Sequence, residues 1–451
     1  MPPAASPTIR LNRSEQGALA VEGYFGPVNL VYVLRFDRAV AVDTLREALW
    51  DLMMAHPRLR IVLEPGWFNH HLRVLDDPVL LRQLFTQTLV VHDRATLGTP
   101  AAIEVAHTDE INRLMPLQRG LPWRVVYDPH VAQPVLIFNV HHMVGDGRSM
   151  ARICHDLLAR LHGQVLTALP VESSSQLPGL LPERPWHWPR ALWGWFQGLR
   201  ADARRQRGHV PVLLGRRDAP RFSVCTVNHF EWPRPLSDLR RDARDLGTST
   251  NTLLLACIAQ VLLAPQRHDP AATAVLRMAV DLRRYFPPGQ APAIGNIVVN
   301  LVLYARHQPD LAAQARDLHA QIQEHLERVR RREVAVPHLL LEALSAINLR
   351  WRSKLALHLK SSGGLSRTSC FISNLGSGDA LVMDTRTGPV VQDFRAACIS
   401  PSLYGAVTTL GDRLSVVFTW QHSEQDAAMI QGFFQALRHE AMAVSRWPDA
   451  A

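Results

Sequence analysis

The chain has 451 residues, 47% of them hydrophobic and 20% charged, with 31 Pro and 25 Gly. That balance excludes a disordered tail, a collagen-like fibre and a disulfide-stapled mini-domain, and the length predicts more than one lobe. The net charge of +9 is concentrated in residues 184–221, which hold nine Arg, no Lys and two acids beside four of the eleven Trp. A charge confined to one segment does not mark the whole chain as a nucleic-acid binder.

Taken in order, LVYVLRF (Leu30–Phe36) predicts a strand, and Asp43 opens an amphipathic helix with Leu45, Leu49, Leu52 and Met53 on its core stripe. His56-Pro57 stops that helix, and RIVLE predicts a second strand. PVLIFNV (Pro134–Val140) is a nearly unbroken apolar run of strand length. It hands over at HHMVGDG to a helix with Met150, Ile153, Leu157, Leu158 and Leu161 on one face. Residues 1–165 therefore read as a first lobe. Residues 166–220, rich in Pro, Ser, Arg and Trp, read as a crossover, and 221–451 as a second lobe. In the second lobe, helix patterns run through Thr250–Leu263 and through Leu311, Ala315, Leu318, Ile322, Leu326 and Val329. Strand patterns lie at Val275–Leu282, Ile297–Tyr304, Cys370–Ile372 and Arg413–Trp420, and a terminal helix carries Met429, Phe433, Leu437 and Met442. No fixed-period repeat is visible, which argues against solenoids and propellers.

Five scattered cysteines (Cys154, Cys225, Cys257, Cys370, Cys398) without a CxxC pair indicate neither a disulfide framework nor a thiolate zinc site. The opening MPPAASPTIR lacks an apolar core, and no 18-residue apolar run occurs, so the expectation is a cytoplasmic protein that spans no membrane. The pair His70-His71 has no companion ligands nearby, and no metal site is expected.

The chemistry concentrates in His141-His142-Met143-Val144-Gly145-Asp146-Gly147. A neutral imidazole takes a proton from an alcohol or amine near pH 7. A carboxylate four residues on, followed by Gly, suits a tight turn that returns the chain beneath the histidine. A strand before and a helix after would hold that turn over a cleft. His141 and Asp146 also fit H-x4-D, the pattern of glycerophosphate-type acyltransferases, but the later EGxRS-like segment of those enzymes is absent. GxSxG, HExxH, P-loop and GxGxxG patterns are absent as well.

HHMVGDG resembles the HHxxxDG motif of the CoA-dependent acyltransferase superfamily, which includes condensation domains, wax ester synthases and polyketide-associated acyltransferases. Further segments resemble these families in order: HPRLR (His56–Arg60), RGLPWRV (Arg119–Val125), NTLLLA (Asn251–Ala256), VDLRR (Val280–Arg284), GNIVVN (Gly295–Asn300) and SNLGSG (Ser373–Gly378). Two departures stand out. Thr252 occupies the place where Asp is usual in the fourth segment, and Met115-Pro116-Leu117 stands where condensation domains carry an FDL-like segment.

The resemblance implies an α/β (α+β) fold of two chloramphenicol-acetyltransferase-like lobes, a V-shaped pseudo-dimer with a central tunnel. It implies His142 as general base, His141 as its structural neighbour, and Asp146 as a structural acid paired with an arginine, for which Arg283 is the candidate. On a strand of period two, Arg283 would share a face with Arg277 and Asp281. The Gly147 N–H and the Ser373-Asn374 loop are candidate oxyanion donors. The implied partners are an acyl thioester, on CoA or an acyl carrier protein, and a hydroxyl or amine acceptor, with no cofactor or metal beyond the donor. Ester formation is preferred to amide formation; the alternative from another class is a non-catalytic condensation-like module that recruits biosynthetic enzymes. For the Trp/Arg segment three readings stand: tryptophans packed on the protein, a peripheral membrane contact through 184–207, or a basic dock for an acidic carrier protein. No RNA-binding motif accompanies it.

Overall fold

The computed structural model describes residues 7–66, 69–215, 224–345, 348–361, 368–383, 387–422 and 425–443. Met1–Ser6 of the amino-terminal reading, and Arg216, Arg217, Asp218 and Arg221 of the basic stretch, lie outside them.

The first half contains strands β1 (Thr8–Arg10), β2 (Asn29–Phe36), β3 (Ile61–Glu64), β4 (His71–Val74), β5 (Leu89–Val91), β6 (Trp123–Asp128) and β7 (Val135–His141). Its helices are α1 (Arg13–Phe25), α2 (Val42–Ala55), α3 (Pro78–Phe85), α4 (Pro100–Ile111) and α5 (Gly147–Leu161). After α6 (Trp188–Gln206) come β8 (Val210–Pro211), β9 (Cys225–Glu231), α7 (Leu236–Asp245), α8 (Thr250–Leu263), β10 (Ala272–Asp281) and β11 (Val298–Ala305). The chain continues through α9 (Leu311–Arg330), α10 (Ala335–Ser345), α11 (Leu349–Ser361) and β12 (Cys370–Ser377). It closes with β13 (Val391–Cys398), β14 (Leu403–Leu410), β15 (Arg413–Gln421) and α12 (Ala427–Ala443).

Two mixed sheets organise most of these elements, and β1, β4 and β3 form a small antiparallel third. The first has the order β13-β2-β7-β6-β5, and the second β11-β10-β12-β14-β15-β9 with β8 beside β10. Strands β2 and β7 are central in the first sheet, and their side chains are almost all buried, which is why they read as continuous apolar runs. Helices α2 and α5 cover that sheet through Leu45, Leu49, Leu52, Met150, Ile153 and Leu157, all fully buried. The second sheet packs on α8, α9 and α12. Helix α8 is apolar nearly all round because it lies inside that core.

One strand crosses the division expected at residue 221. β13 pairs antiparallel with β2, from Phe394↔Leu34 to Cys398↔Leu30, while its successor β14 belongs to the second sheet. The short connection between them, Ile399–Ser402, therefore passes from one sheet to the other. Among the described residues no single helix is long and apolar enough to cross a membrane.

Candidate active site

Strand β7 ends at His141, five residues make the turn, and α5 begins at Gly147. Asp146 is the N-cap of α5, its Oδ1 accepting from the Ser149 N–H at 2.8 Å and the Ser149 hydroxyl at 2.9 Å. The carbonyls of Met143 and Val144 inside the turn accept from Arg58 Nη1 at 3.2 Å each. Arg58 in turn forms a buried ion pair with Glu15 at 2.7 Å. Thus Arg58 of HPRLR braces the HHMVGDG turn, and Glu15 ties both to α1 through the Asn12/Glu15 capping box.

The two histidines face different surroundings. His141 is fully buried; its Nδ1 accepts from the Met143 N–H at 3.1 Å, and Nε2 lies 3.3 Å from Glu22. His142 lines a cavity of about 600 Å³ between the sheets, shared with Tyr32, Gly147, Arg277, Asn296 and Ser373. Burial holds the His142 pKa below its ordinary 6.5. Its own carbonyl, that of Gly145 and the Asp146 charge oppose the shift, and His141 adds to it. The imidazole is therefore neutral at pH 7.

Asn296 fixes the ring: its side-chain amide lies 3.1 Å from His142 Nδ1. With the amide nitrogen on that side, Asn296 Oδ1 is buried without a partner. An Asn amide presents either end with equal ease. With Oδ1 toward the ring it accepts from Nδ1–H, and the carbonyls of His142 and Gly145 also call for a protonated ring nitrogen. In that tautomer the lone pair is on Nε2.

Asp146 reaches into the second half of the chain. Its Oδ2 accepts from Arg283 Nη1 and from the Ile297 N–H, both at 2.9 Å. Arg283 also donates to Asp281 (3.1 Å), Ser149 (3.0 Å) and the carbonyls of Gly295 (3.0 Å) and Pro292 (3.1 Å). Burial alone would raise the Asp146 pKa, but the Arg283 charge and hydrogen bond, with the Ile297 and Ser149 N–H groups, hold it below the usual carboxylate value. Gly295 has φ +151, and a Cβ there would lie 2.5 Å from the Ser174 Cβ, so only glycine fits where Gly295 meets the turn.

The oxyanion candidates separate. Gly147 stands in the first turn of α5, where the backbone N–H groups have no intrahelical partner, and it lines the cavity. A Cβ there would collide with Leu375, and the Gly147 carbonyl accepts from Tyr32 Oη at 2.8 Å. Ser373 also lines the cavity and hydrogen-bonds Tyr404. Asn374 does not line it: the side chain is exposed and accepts from the Gly376 N–H at 2.8 Å, bracing a bulge in β12. The expected SNLGSG loop is thus mostly strand, and period two turns Asn374 away from its neighbour. Arg283 departs from expectation too. Strand β10 ends at Asp281, and Arg283 begins a 3-10 turn, which aims its guanidinium at Asp146.

No protein-family profile matches the chain, and no curated protein matches its sequence. Solved structures do match. Polyketide synthase associated protein 5 from Mycobacterium tuberculosis aligns over 99% of this chain and 100% of its own, with 16% identity and a TM-score of 0.63. Trichothecene 15-O-acetyltransferase from Fusarium sporotrichioides aligns over 97% and 95%, with 12% identity and a TM-score of 0.69. The chain shares the fold of these two proteins. The starter condensation domain of rhizomide synthetase, solved with C8-CoA and Leu-SNAC, has that fold as well, at 14% identity and a TM-score of 0.63 over 96% and 94%.

Within this fold, sequence reasoning missed Asn296 and Tyr32. Asn296 lies in the quoted GNIVVN, but only the contact shows that its side chain faces His142. Among the described residues no group of three or more His, Cys, Asp or Glu side chains is placed to hold a metal. Cys398 lines the cavity, yet burial pushes its thiol up to about 12, so it is no nucleophile at neutral pH.

The Trp/Arg segment divides. Helix α6 is strapped to α9 by Asp202–Arg328 (3.0 Å) and Arg205–Glu324 (2.5 Å), and Trp188 and Trp195 are half-buried. Trp186 and Trp193 remain 67% and 63% exposed, so packing on the protein accounts for two of the four.

Proposed function

We propose that the chain is an acyltransferase that moves an acyl group from a thioester, on CoA or a carrier protein, to a hydroxyl or amine. The observation that carries this is the placement of His142: neutral, in contact with Asn296 through Nδ1, and lining the cavity, which leaves Nε2 as the nitrogen to act as base. His142 Nε2 takes the acceptor's proton as its oxygen or nitrogen attacks the thioester carbonyl. The Gly147 N–H and the Ser373 hydroxyl donate to the oxyanion that forms. Collapse breaks the C–S bond, and the proton on His142 goes to the departing thiolate, which restores the base. Asp146 and Arg283 hold the turn and take no part in the proton transfer.

Ester formation is the preferred outcome, in keeping with an O-acetyltransferase among the similar structures. Amide formation is the second reading, because a condensation domain with an aminoacyl substrate shares the fold. A non-catalytic recruiting module has no use for a neutral histidine fixed at a cavity wall.

The test is free-thiol release from acyl-CoAs of graded length, with and without simple alcohols and amines, and with acylated carrier protein as an alternative donor. Acceptor-dependent release is expected, lowered about 10²–10⁴-fold by His142→Ala. Release within a few-fold of wild type in that variant refutes the assignment.

A further inference from the structure

Among the described residues, Arg277 on the cavity wall has no ion-pair partner. Arg277 lies on β10 between Val302 of β11 and Phe371 of β12, on the face that lines the cavity. Among the described residues no carboxylate lies within ion-pair distance of it, and its buried Nε has no hydrogen-bond partner. Burial lowers its pKa, and the Tyr304 hydroxyl opposes that shift.

The other charges nearby are committed. Asp281, on the same face of β10, is held by Arg283 and Arg148. Asp202 pairs with Arg328. Arg13, the other arginine on the cavity wall, donates to Gln176 at 3.1 Å and is faced by Glu342. His338, also on that wall, is held near 4 by burial and by Arg13, so it is neutral at pH 7. A partly buried guanidinium without a counter-charge is unfavourable in the empty protein. An anion arriving in the cavity removes that penalty.

The position of Arg277 sets where on the ligand the anion sits. His142 is held by Asn296, two residues before Val298, which pairs with Asp281. Arg277 is four positions further up β10, about 13 Å at the usual rise of a strand. That offset along the strand keeps the anion away from the reacting atom rather than on it. A single unpaired guanidinium matches the two oxygens of a carboxylate as a bidentate pair, whereas a phosphate dianion in this wall would leave one charge unanswered.

We infer that Arg277 selects a substrate bearing a free carboxylate at the end remote from the reacting group. Either the acyl chain or the acceptor supplies it. The inference rests on the acyl-transfer reading only for which group reacts.

The probes are 10-hydroxydecanoate and its methyl ester, which differ only in the charge. By calorimetry the wild-type chain is expected to bind the acid at least tenfold more tightly. Arg277→Met should close that gap by weakening the acid, leaving the ester within threefold, and Arg277→Lys should restore part of it. The unfolding midpoint of Arg277→Met should equal or exceed that of wild type, since an unpaired cation is removed. An equal preference in wild type and Arg277→Met, or no preference for the acid in wild type, overturns the inference. So does a variant that keeps the acid preference and instead loses a preference for phosphopantetheine over pantetheine, because the cation then belongs to the donor's arm.

Turnover assigns the source. Sebacoyl-CoA favoured over decanoyl-CoA places the carboxylate on the acyl group, and 10-hydroxydecanoate favoured over 1-decanol places it on the acceptor. Binding discrimination without turnover of any pair, from CoA or from acylated carrier protein, refutes acyl transfer and leaves the Arg277 site standing.

Discussion

Acidification attacks a contact between the two sheets. His107 on α4 and His229 on β9 face each other, Nδ1 to Nε2, at 3.0 Å, and His107 Nε2 lies 3.3 Å from the Val31 carbonyl of β2. His107 Nε2 therefore donates to Val31, leaving Nδ1 to accept from His229 Nε2–H. A second proton would set two N–H groups against each other. Burial lowers His107 to about 3 despite Val31, with Arg395 adding to the shift. Burial, His107 and Arg395 lower His229 to about 2. For a histidine whose folded pKa is depressed, the unfolded chain binds more protons between the two values, so stability is lost as pH falls through 6.5.

At pH 5 both folded values lie well below the solution pH, and each histidine costs about 2 kcal/mol, or about 4 kcal/mol for the pair. The measurement is urea unfolding followed by tryptophan fluorescence at pH 7.5 and pH 5.0, on wild type and on a His107→Gln/His229→Gln double variant. Whatever its own stability, the double variant should lose about 4 kcal/mol less than wild type between the two pH values. A difference below about 1 kcal/mol would refute a neutral pair.

Two other outcomes follow from the site. The acid limb of kcat/KM should have its midpoint below 6.5, because burial depresses the His142 pKa; a limb at or above 6.5, measured where the fold is intact, would remove His142 as the base. Asp146→Ala should destabilise the fold by about 3 kcal/mol, the low end for a broken buried pair, since Arg283 keeps Asp281 at 3.1 Å. An unchanged urea midpoint in that variant would show that the pair stabilises nothing.

Much of the fold is legible where burial is one-sided or complete. Strands β2 and β7 and helices α5, α8 and α9 fall within a residue or two of their apolar patterns. Helix α1 is hard to read from the sequence although Asn12 and Glu15 spell a capping box, because its apolar stripe is weak. Strands β13 and β14 are equally hidden: Ala, Gly and Thr dominate β14, and Gln, Asp and Arg interrupt β13, so neither alternates cleanly. At the site, the motif located His142, Asp146 and Gly147 because they lie within one turn. The Asn296 contact joins residues 154 positions apart, and one sequence carries no signal for it.

The pairing of β13 with β2 joins residues more than 350 positions apart. A ribosome must therefore release nearly the whole chain before the first sheet gains its edge strand. Until then β2 presents an unpaired, apolar edge of the kind that recruits other chains. Cutting at residue 220 to obtain the HHMVGDG half alone would make that exposure permanent. The halves of this protein are accordingly poor units for shuffling, and a chimera that exchanges the second half has to carry Val391–Cys398 with the first.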